Sequence, residues 1–526
     1  MKEYTLNKKL EEIAAKAEDQ YIRKKMEKFS KIPKRDFSKD DLKSMLDSYI
    51  SRYDLALDKF DSTKKANITL PLYTTIELDS RLFYLYSSSY IQRMSYIKQL
   101  SFSYMTYPGA LHSRLEHSLG VSHLIGEFCK HLQKEDKKLD EDIILSAKIA
   151  GLLHDAGHGP CGHSLELMKS YISPKKGMGD YRKLDKLLIC DDLDNKESMI
   201  RRALDSIEAD NKFISQLLCG KEGIDNEFIY LTDLFDSEID ADRLDYLARD
   251  SLHAGIQSGI NPLFYVNYAT ICKYTDKNQK VYDRLSLSYK NEAVGHCNKV
   301  INARKYMYAE VYERIERVAA DEMICHALYY LIEDFNLHKT QEGSTIIRNL
   351  LKLTDYELIF LLRVSGNKDI ITLIESLINA NLHSEICSFQ LNSIYPEIDE
   401  FANEMLALGY DVKKKMENDF WEIIDGKIRN LLPTPEVQRP GIFIYIPTYL
   451  KGAEETEREK RLINDTLICQ DGKKSTPISA TPDAPRESID SRTLNLRLFA
   501  PSILKKHKEE IKNEFTTFIT DFHSRM

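Results

Sequence analysis

The dipeptide His154-Asp155 closes an apolar run in GLLHDAGHGPCGH, and it is where this sequence can do chemistry. An imidazole and a carboxylate ending a hydrophobic helix are costly to bury without partners. The following turn carries Gly157, Gly159 and Gly162, which let the backbone bend tightly and bring His158 and His163 back toward one pocket. Upstream, SRLEHSLG supplies His117, and downstream DSEIDADRLDYLARD supplies an acid-rich helix over 236–250. Seven of the 14 histidines (112, 117, 123, 131, 154, 158 and 163) fall in this one stretch. Two imidazoles and two carboxylates make a mixed N/O donor set suited to Mn, Fe, Zn, Co or Ni. Asp240, Asp242 and Asp245 sit on a helix that turns about 100° per residue, so they cannot all face one ion. Spacing alone does not choose among them. His123 and His131 read as ordinary helix residues.

Amphipathic helices must position these groups. RLEHSLGVSHLIGEFCKHL carries Leu115, Leu119, Leu124, Ile125 and Phe128, and EDIILSAKIAGLLHD carries Ile144, Leu145, Ile149, Leu152 and Leu153. Both patterns predict helices with buried faces. Residues 1–70 alternate charges with spaced apolar residues such as Leu42, Met45, Leu46 and Tyr49, which predicts a helical arm. Beyond residue 340 the helical pattern runs to about 430. A short β-like run, Ile442 to Ile446, then follows a Pro-punctuated stretch. Residues 470–492 read as a long polar surface loop, and a charged helix over about 503–522 follows.

Composition narrows the function. The chain has 526 residues, long enough for several domains, and 42% of them are hydrophobic, enough for sizeable cores. With 74 Lys and Arg against 82 Asp and Glu, the net charge of −8 argues against duplex nucleic acid as the main partner. No apolar run is long enough for a membrane span, and the charged start does not read as a signal peptide. Nine widely spaced cysteines without a CxxC read as reduced thiols in a cytoplasmic protein.

Three blocks, YIQRMSYIKQLSFSYMTYPGALHSRLEHSLGVSHLIG, AGLLHDAGHGPCGHSLE and IDADRLDYLARD, resemble the HD-domain dNTP triphosphohydrolases over about residues 76–335. The likeness is to the catalytic core of the branch that also carries a sterile-alpha-motif domain and, more distantly, to the bacterial dGTPases. No counterpart of that extra domain is visible in residues 1–70. The resemblance implies a mainly α fold: a helical N-terminal arm over 1–75, an HD-domain helical core over 76–335, and a mostly helical C-terminal regulatory and oligomerisation lobe over 336–526 with a small β portion. Carried over by motif, the ligands of a divalent metal ion (Mn, Fe, Zn, Mg, Co or Ni) are His117, His154, Asp155 and Asp242. Arg114, His158, His163 and Glu166 fall at catalytic positions, Glu166 standing where the family has an aspartate. Gln99, Leu100, Arg243, Tyr246, Asp250, Arg304 and Tyr308 fall at substrate-binding positions, Arg243 in place of a lysine.

The implied reaction is hydrolysis of a dNTP at the α-phosphorus to deoxynucleoside and triphosphate. The implied setting is cytoplasmic nucleotide-pool control or antiviral dNTP depletion, by a homo-oligomer (tetramer or larger) that responds to an activator nucleotide. The sequence also departs from the family. Lys196-Glu197 is the nearest match to a catalytic His-Glu pair, and Ser87 and Ser95 replace an aspartate and an arginine that hold a regulatory guanine nucleotide. Val300, Arg304 and Glu310 stand where phosphate contacts are expected, which leaves Arg304 and Lys305 to grip the triphosphate. Two alternatives follow: an HD-domain nucleotidase or phosphodiesterase acting on another nucleotide, and a catalytically silent nucleotide-sensing assembly protein.

Overall fold

The computed structural model describes residues 37–51, 59–168, 184–219, 226–237, 239–275, 279–288, 291–391, 396–408, 410–428, 441–446, 467–469, 475–477 and 495–521. The start of the N-terminal arm and most of the polar loop at 470–492 lie outside them, as does the Glu166 side chain.

Helices dominate, and their ends follow from local chemistry. Ser113, Asp140 and Asp240 cap the helices Arg114–Leu132, Glu141–Leu153 and Ala241–His253, each side chain accepting a backbone N–H of the first turn. Such a cap is worth about 1 kcal/mol, and here each also fixes where a functional residue begins. The Arg114–Leu132 helix packs against both of the others. Gly120 makes the second contact possible. A Cβ there would stand 2.2 Å from Asp245 Oδ1 and 2.3 Å from Arg249 Nη2. Leu119, Leu124, Ile125, Phe128, Ile144, Ile149, Leu153, Leu244 and Leu247 fill the first core. Burying each such side chain contributes about 1.5–3 kcal/mol.

A second core surrounds the Ile315–Asp334 helix and takes in Leu42 and Leu46 of the Lys39–Ile50 helix. A third, in the C-terminal lobe, packs the helices Pro396–Leu408, Tyr410–Ile428 and Lys508–Thr520 on a small sheet. That sheet runs β5 (Ser384–Gln390), β9 (Asn495–Ala500), β6 (Phe443–Tyr445), all antiparallel, and β6 is the β-like run expected from sequence.

The structure also contains strands that the helical reading of residues 1–335 did not anticipate. β1 (Ala66–Leu70) and β2 (Thr74–Leu78) form an antiparallel hairpin. β3 (Ala269–Thr275) and β4 (Val281–Ser288) pair antiparallel, and β4 pairs in parallel with β7 (Leu467–Cys469), which continues to β8 (Ser475–Pro477). Cys129, Cys161 and Cys387 are buried thiols, whereas Cys190 and Cys272 each belong to a disulfide. The reading of all cysteines as reduced thiols is corrected for those two, because thiol proximity is set by packing rather than by spacing. No helix among the described residues is long and apolar enough to cross a membrane.

Candidate metal centre

Four side chains converge from three helices. His117 comes from the first turn of Arg114–Leu132, His154 and Asp155 from the C-terminal end of Glu141–Leu153, and Asp242 from the first turn of Ala241–His253. His117 Nε2 lies 3.2 Å from His154 Nε2 and 3.1 Å from Asp242 Oδ1, and His154 Nε2 lies 3.7 Å from Asp242 Oδ1. Asp155 completes the group, its Oδ2 3.7 Å from His117 Nε2 and its Oδ1 3.4 Å from His154 Nε2.

The hydrogen bonds behind the ligands settle which ring nitrogens face the centre. His117 Nδ1 donates to Asp245 Oδ2 at 2.8 Å, and His154 Nδ1 donates to the Gly151 carbonyl at 2.7 Å. With both Nδ1 protons so used, both Nε2 lone pairs point at each other and at Asp242. Facing acceptors at such distances repel unless positive charge lies between them. Donor atoms held about 2.1 Å from one tetrahedral ion are themselves about 3.4 Å apart, so His117, His154 and Asp242 together fit a divalent cation, with Asp155 beside them. The field agrees. Without an ion, burial opposes charge on His117, yet hydrogen bonds to Asp242 and Asp245 with the nearby carboxylates outweigh it and push its pKa up to about 10, so a proton on Nε2 takes the place an ion would fill. Asp155 and Asp242 are held well below the usual carboxylate range against burial: Asp155 by His154, His158 and Arg114, Asp242 by its hydrogen bonds to His117 and His154.

The HD-domain family model matches residues 114–250, which span all four of these residues. Residues 114–250 are an HD domain. Among curated relatives of this chain, the Xenopus laevis deoxynucleoside triphosphate triphosphohydrolase SAMHD1 is 28% identical over 51% of this chain and 46% of its own length. The human protein of that name is 28% identical over 59% of this chain and 50% of its own. An uncharacterized protein of Methanocaldococcus jannaschii is 25% identical over 73% of each. The chain thus spans about half the length of the triphosphohydrolases it matches.

Around the HD-domain ligands lies a supporting layer that sequence reasoning missed. Asp245 accepts from His117, from Arg249 through Nε and Nη2 (both 2.8 Å), and from Tyr73 Oη at 2.7 Å. Arg249 also reaches Glu116 Oε1 at 2.6 Å, and His253 Nε2 shares that oxygen at 3.0 Å. Every charge in this buried chain is paired, which makes it a rigid mount for His117. Arg93, also buried, donates to the Ala156 and His158 carbonyls and pins the turn after His154-Asp155. The one sequence signal for Asp245 was the recurrence of acids in 236–250. Which acid faces the centre and which one mounts His117 needed the structure.

The other expected site residues separate into groups. Arg114 is 1% exposed, and its Nη1 donates to Asp155 Oδ2 at 2.7 Å. Its Nε and Nη2 are buried with no hydrogen-bond partner among the described residues. His158 Nε2 lies 3.3 Å from Asp155 Oδ1, and the His163 ring stands edge-on to His158 at 4.8 Å. Glu166 follows on the 3-10 helix Gly162–Met168. Gln99 joins by its backbone to the His112 carbonyl, its Oε1 is buried without a partner, and Leu100 is buried beside it. Arg243 bonds the Ser237 carbonyl at 2.6 Å.

Asp250 accepts from His112 Nε2 at 2.8 Å and from Tyr312 Oη at 2.7 Å. The Tyr312 ring is edge-on to Tyr246 and Tyr308, and Arg304 lies over Tyr308. Tyr312 was not singled out from sequence. A π-helical turn, Tyr308–Tyr312, closed by Glu313 N–H to the Tyr308 carbonyl, rotates it onto Asp250. Lys196 and Glu197 are exposed in the turn before the Met199–Ser206 helix. Their alignment with a catalytic pair is therefore corrected. An acidic residue that does reach the HD turn is Asp185, at the start of the Leu184–Asp194 helix, with Oδ2 3.5 Å from His158 Nε2.

Proposed function

We propose that this chain is a metal-dependent phosphohydrolase that cleaves dNTPs at the α-phosphorus, releasing deoxynucleoside and triphosphate. The observation that carries the reading is the pair of imidazole nitrogens facing each other at 3.2 Å beside two carboxylates, with the open N–H groups of Arg114 next to them. His117, His154, Asp155 and Asp242 would hold a divalent ion, which when bound supplies Lewis acidity to a phosphoryl oxygen and acidifies water.

The remaining work falls to the chain's own groups. Arg114, fixed at one end by Asp155, offers Nε–H and Nη2–H to phosphate oxygens, and these bonds strengthen as negative charge builds at phosphorus. Water adds to the α-phosphorus and the bond from phosphorus to the deoxyribose 5′ oxygen breaks; that oxygen takes a proton from His158 or His163, and the proton lost by the water restores the imidazole through solvent. Tyr246, Tyr308, Tyr312 and Asp250 form one aromatic and carboxylate wall suited to a sugar, and the resemblance assigns Gln99 and Leu100 to the same sugar. Arg304 and Arg243 are cations beside that wall and would take the outer phosphates.

The resemblance also supports a homo-oligomer of tetramer size or larger, an activator nucleotide, and a role in dNTP-pool control or antiviral depletion. Light scattering with and without dNTPs tests the assembly. The deciding experiment incubates the full chain with each dNTP, singly and in mixtures, with Mn²⁺ or Mg²⁺, and identifies the phosphate product. Triphosphate with deoxynucleoside is expected. Release of orthophosphate or pyrophosphate alone refutes the reading and favours a nucleotidase. Inactivity of wild type and His154→Ala alike favours a silent sensor, a reading that the exposed position of Lys196 no longer supports.

A further inference from the structure

Three segments that the proposed site needs lie far apart in the chain, and one carboxylate is joined to all of them. Asp321 belongs to the Ile315–Asp334 helix. Ser101 Oγ donates to Asp321 Oδ1 at 2.8 Å, and Ser164 Oγ lies 2.6 Å from the same oxygen. The other oxygen, Oδ2, pairs with Arg317 Nη2 at 3.0 Å, and Arg317 Nη1 donates to the Tyr312 carbonyl. Ser101 follows Gln99 and Leu100, Ser164 follows His163, and Tyr312 is the residue whose hydroxyl reaches Asp250. None of these bonds involves His117, His154, Asp155 or Asp242.

The backbone at Ser101 shows that the contact holds something in place. Its φ is 47°, in the left-handed region that favours glycine, and it is buried at the start of the 3-10 helix Ser101–Met105. A serine keeps such a conformation only where its surroundings over-determine it. Ser164 Oγ is also 2.7 Å from the Cys161 carbonyl, but an ionised carboxylate is the stronger acceptor of its single proton. The segments Ser101–Met105 and Gly162–Met168 both pack on the Ile315–Asp334 helix, which is therefore their common frame. The π-helical turn has a second anchor, Arg497 Nη1 on the Glu313 carbonyl at 3.0 Å, so cutting the Asp321 bonds loosens that turn without freeing it.

We infer that Asp321 is a positioning residue of the dNTP site: through Ser101, Ser164 and Arg317 it sets the spacing between the sugar-binding segment, the His163 turn and the Tyr312 wall. The inference rests on the function proposed above and states how the parts of that site are held to one another. The leaving 5′ oxygen lies between the sugar and the α-phosphorus, so the sugar wall and His163 must keep a fixed separation for the proton to reach it. A misplacement of about 1 Å in such an arrangement costs about 10²-fold in rate.

The test reads steady-state kinetics of the full-length chain, with Mn²⁺ and the dNTPs that wild type turns over, beside bound Mn²⁺ and thermal unfolding. Asp321→Asn keeps the size and removes the charge, so kcat/KM should fall about 10²-fold with Mn²⁺ content unchanged. Ser101→Gly removes one hydroxyl and relieves the left-handed backbone, so Tm should hold or rise while kcat/KM falls about 10-fold. A merely structural role would move both downward together. The variant joining Asp321→Asn, Ser101→Gly and Ser164→Ala should be no slower than Asp321→Asn alone, because residues of one network are not additive. Wild-type kinetics in Asp321→Asn, or losses that add, overturn the positioning role and leave the proposed function standing. A loss of activity that follows loss of metal or of fold assigns Asp321 to stability and also overturns it. No triphosphate release by wild type refutes the proposed function and this role with it.

Discussion

His117 and His154 present their Nε2 atoms to each other at 3.2 Å, while Asp245 and the Gly151 carbonyl hold the opposite faces of the two rings. The tautomers are therefore set before any ligand arrives, which is what a preorganised metal site requires. Removing the metal with a chelator, or substituting His154→Ala, should lower phosphohydrolase activity by about 10³-fold or more, the kinetic equivalent of several kcal/mol of charge stabilisation. Product formation with and without Mn²⁺ restored measures it. Full activity after rigorous chelation would show that the centre is structural.

Arg114 uses one nitrogen on Asp155, and its Nε and Nη2 are buried without a partner among the described residues. A lysine can supply the charge but not the planar fork. Arg114→Lys should therefore lower kcat/KM by about 10²–10³-fold while metal content stays unchanged. Steady-state kinetics on a dNTP, read beside elemental analysis, separates these effects. Equal kcat/KM in both proteins would remove Arg114 from the phosphate contacts.

Asp245 joins His117 to Arg249, and both carboxylate oxygens are fully used. Asp245→Asn keeps the shape but leaves the Arg249 guanidinium without its counter-charge. Breaking a buried pair in this way costs about 3–5 kcal/mol, and loss of the partner behind a metal-ligating histidine costs about 10–100-fold in metal affinity. Thermal unfolding and Mn²⁺ titration should both move. An unchanged metal affinity would reduce Asp245 to a packing role.

Tyr312 reaches Asp250 through its hydroxyl only because of the π-helical turn. Tyr312→Phe removes that bond and little else, so the fold should persist while kcat/KM for dNTP falls about 10-fold, the scale of one hydrogen bond to a charged group. No change would place the sugar elsewhere.

In the C-terminal lobe, Phe443 is stacked between His326 at 3.9 Å and His383 at 4.7 Å. Burial, with the neighbouring His326, lowers the His383 pKa from 6.5 to about 3. The native state therefore binds fewer protons than the unfolded chain between those values. Stability from this group is whole above pH 6.5 and is lost as pH falls toward 3. Hydrogen exchange of the β5–β9–β6 sheet should accelerate from pH 7 to pH 4.5 after correction for intrinsic rates. His383→Phe should flatten that dependence, and an equal slope in the variant would assign the acid sensitivity to other groups.

The amino-acid sequence by itself determined the types of donor available and the helices that bear them. His154-Asp155 ends an apolar helix, His117 opens another, and the acids of 236–250 recur on a third, all signals written within short segments. The β1–β2 and β3–β4 pairs were also legible in principle. Their β-branched runs carry local information, though the helical reading of residues 1–335 passed over them.

Only the tertiary structure decided the rest. Asp242 and Asp245 are alike in type and adjacent in pattern. It is the crossing of the Arg114–Leu132 and Ala241–His253 helices, made close by Gly120, that gives one the metal face of His117 and the other its back. Asp185 has no motif, and it arrives beside His158 because Gly157 lets a helix start touch the turn. The parallel pairing of β4 with β7 joins segments far apart in the chain, and no local pattern encodes such a partner. Residue type and period are local properties, but which two side chains meet depends on how whole elements pack, and that is settled only when the cores close.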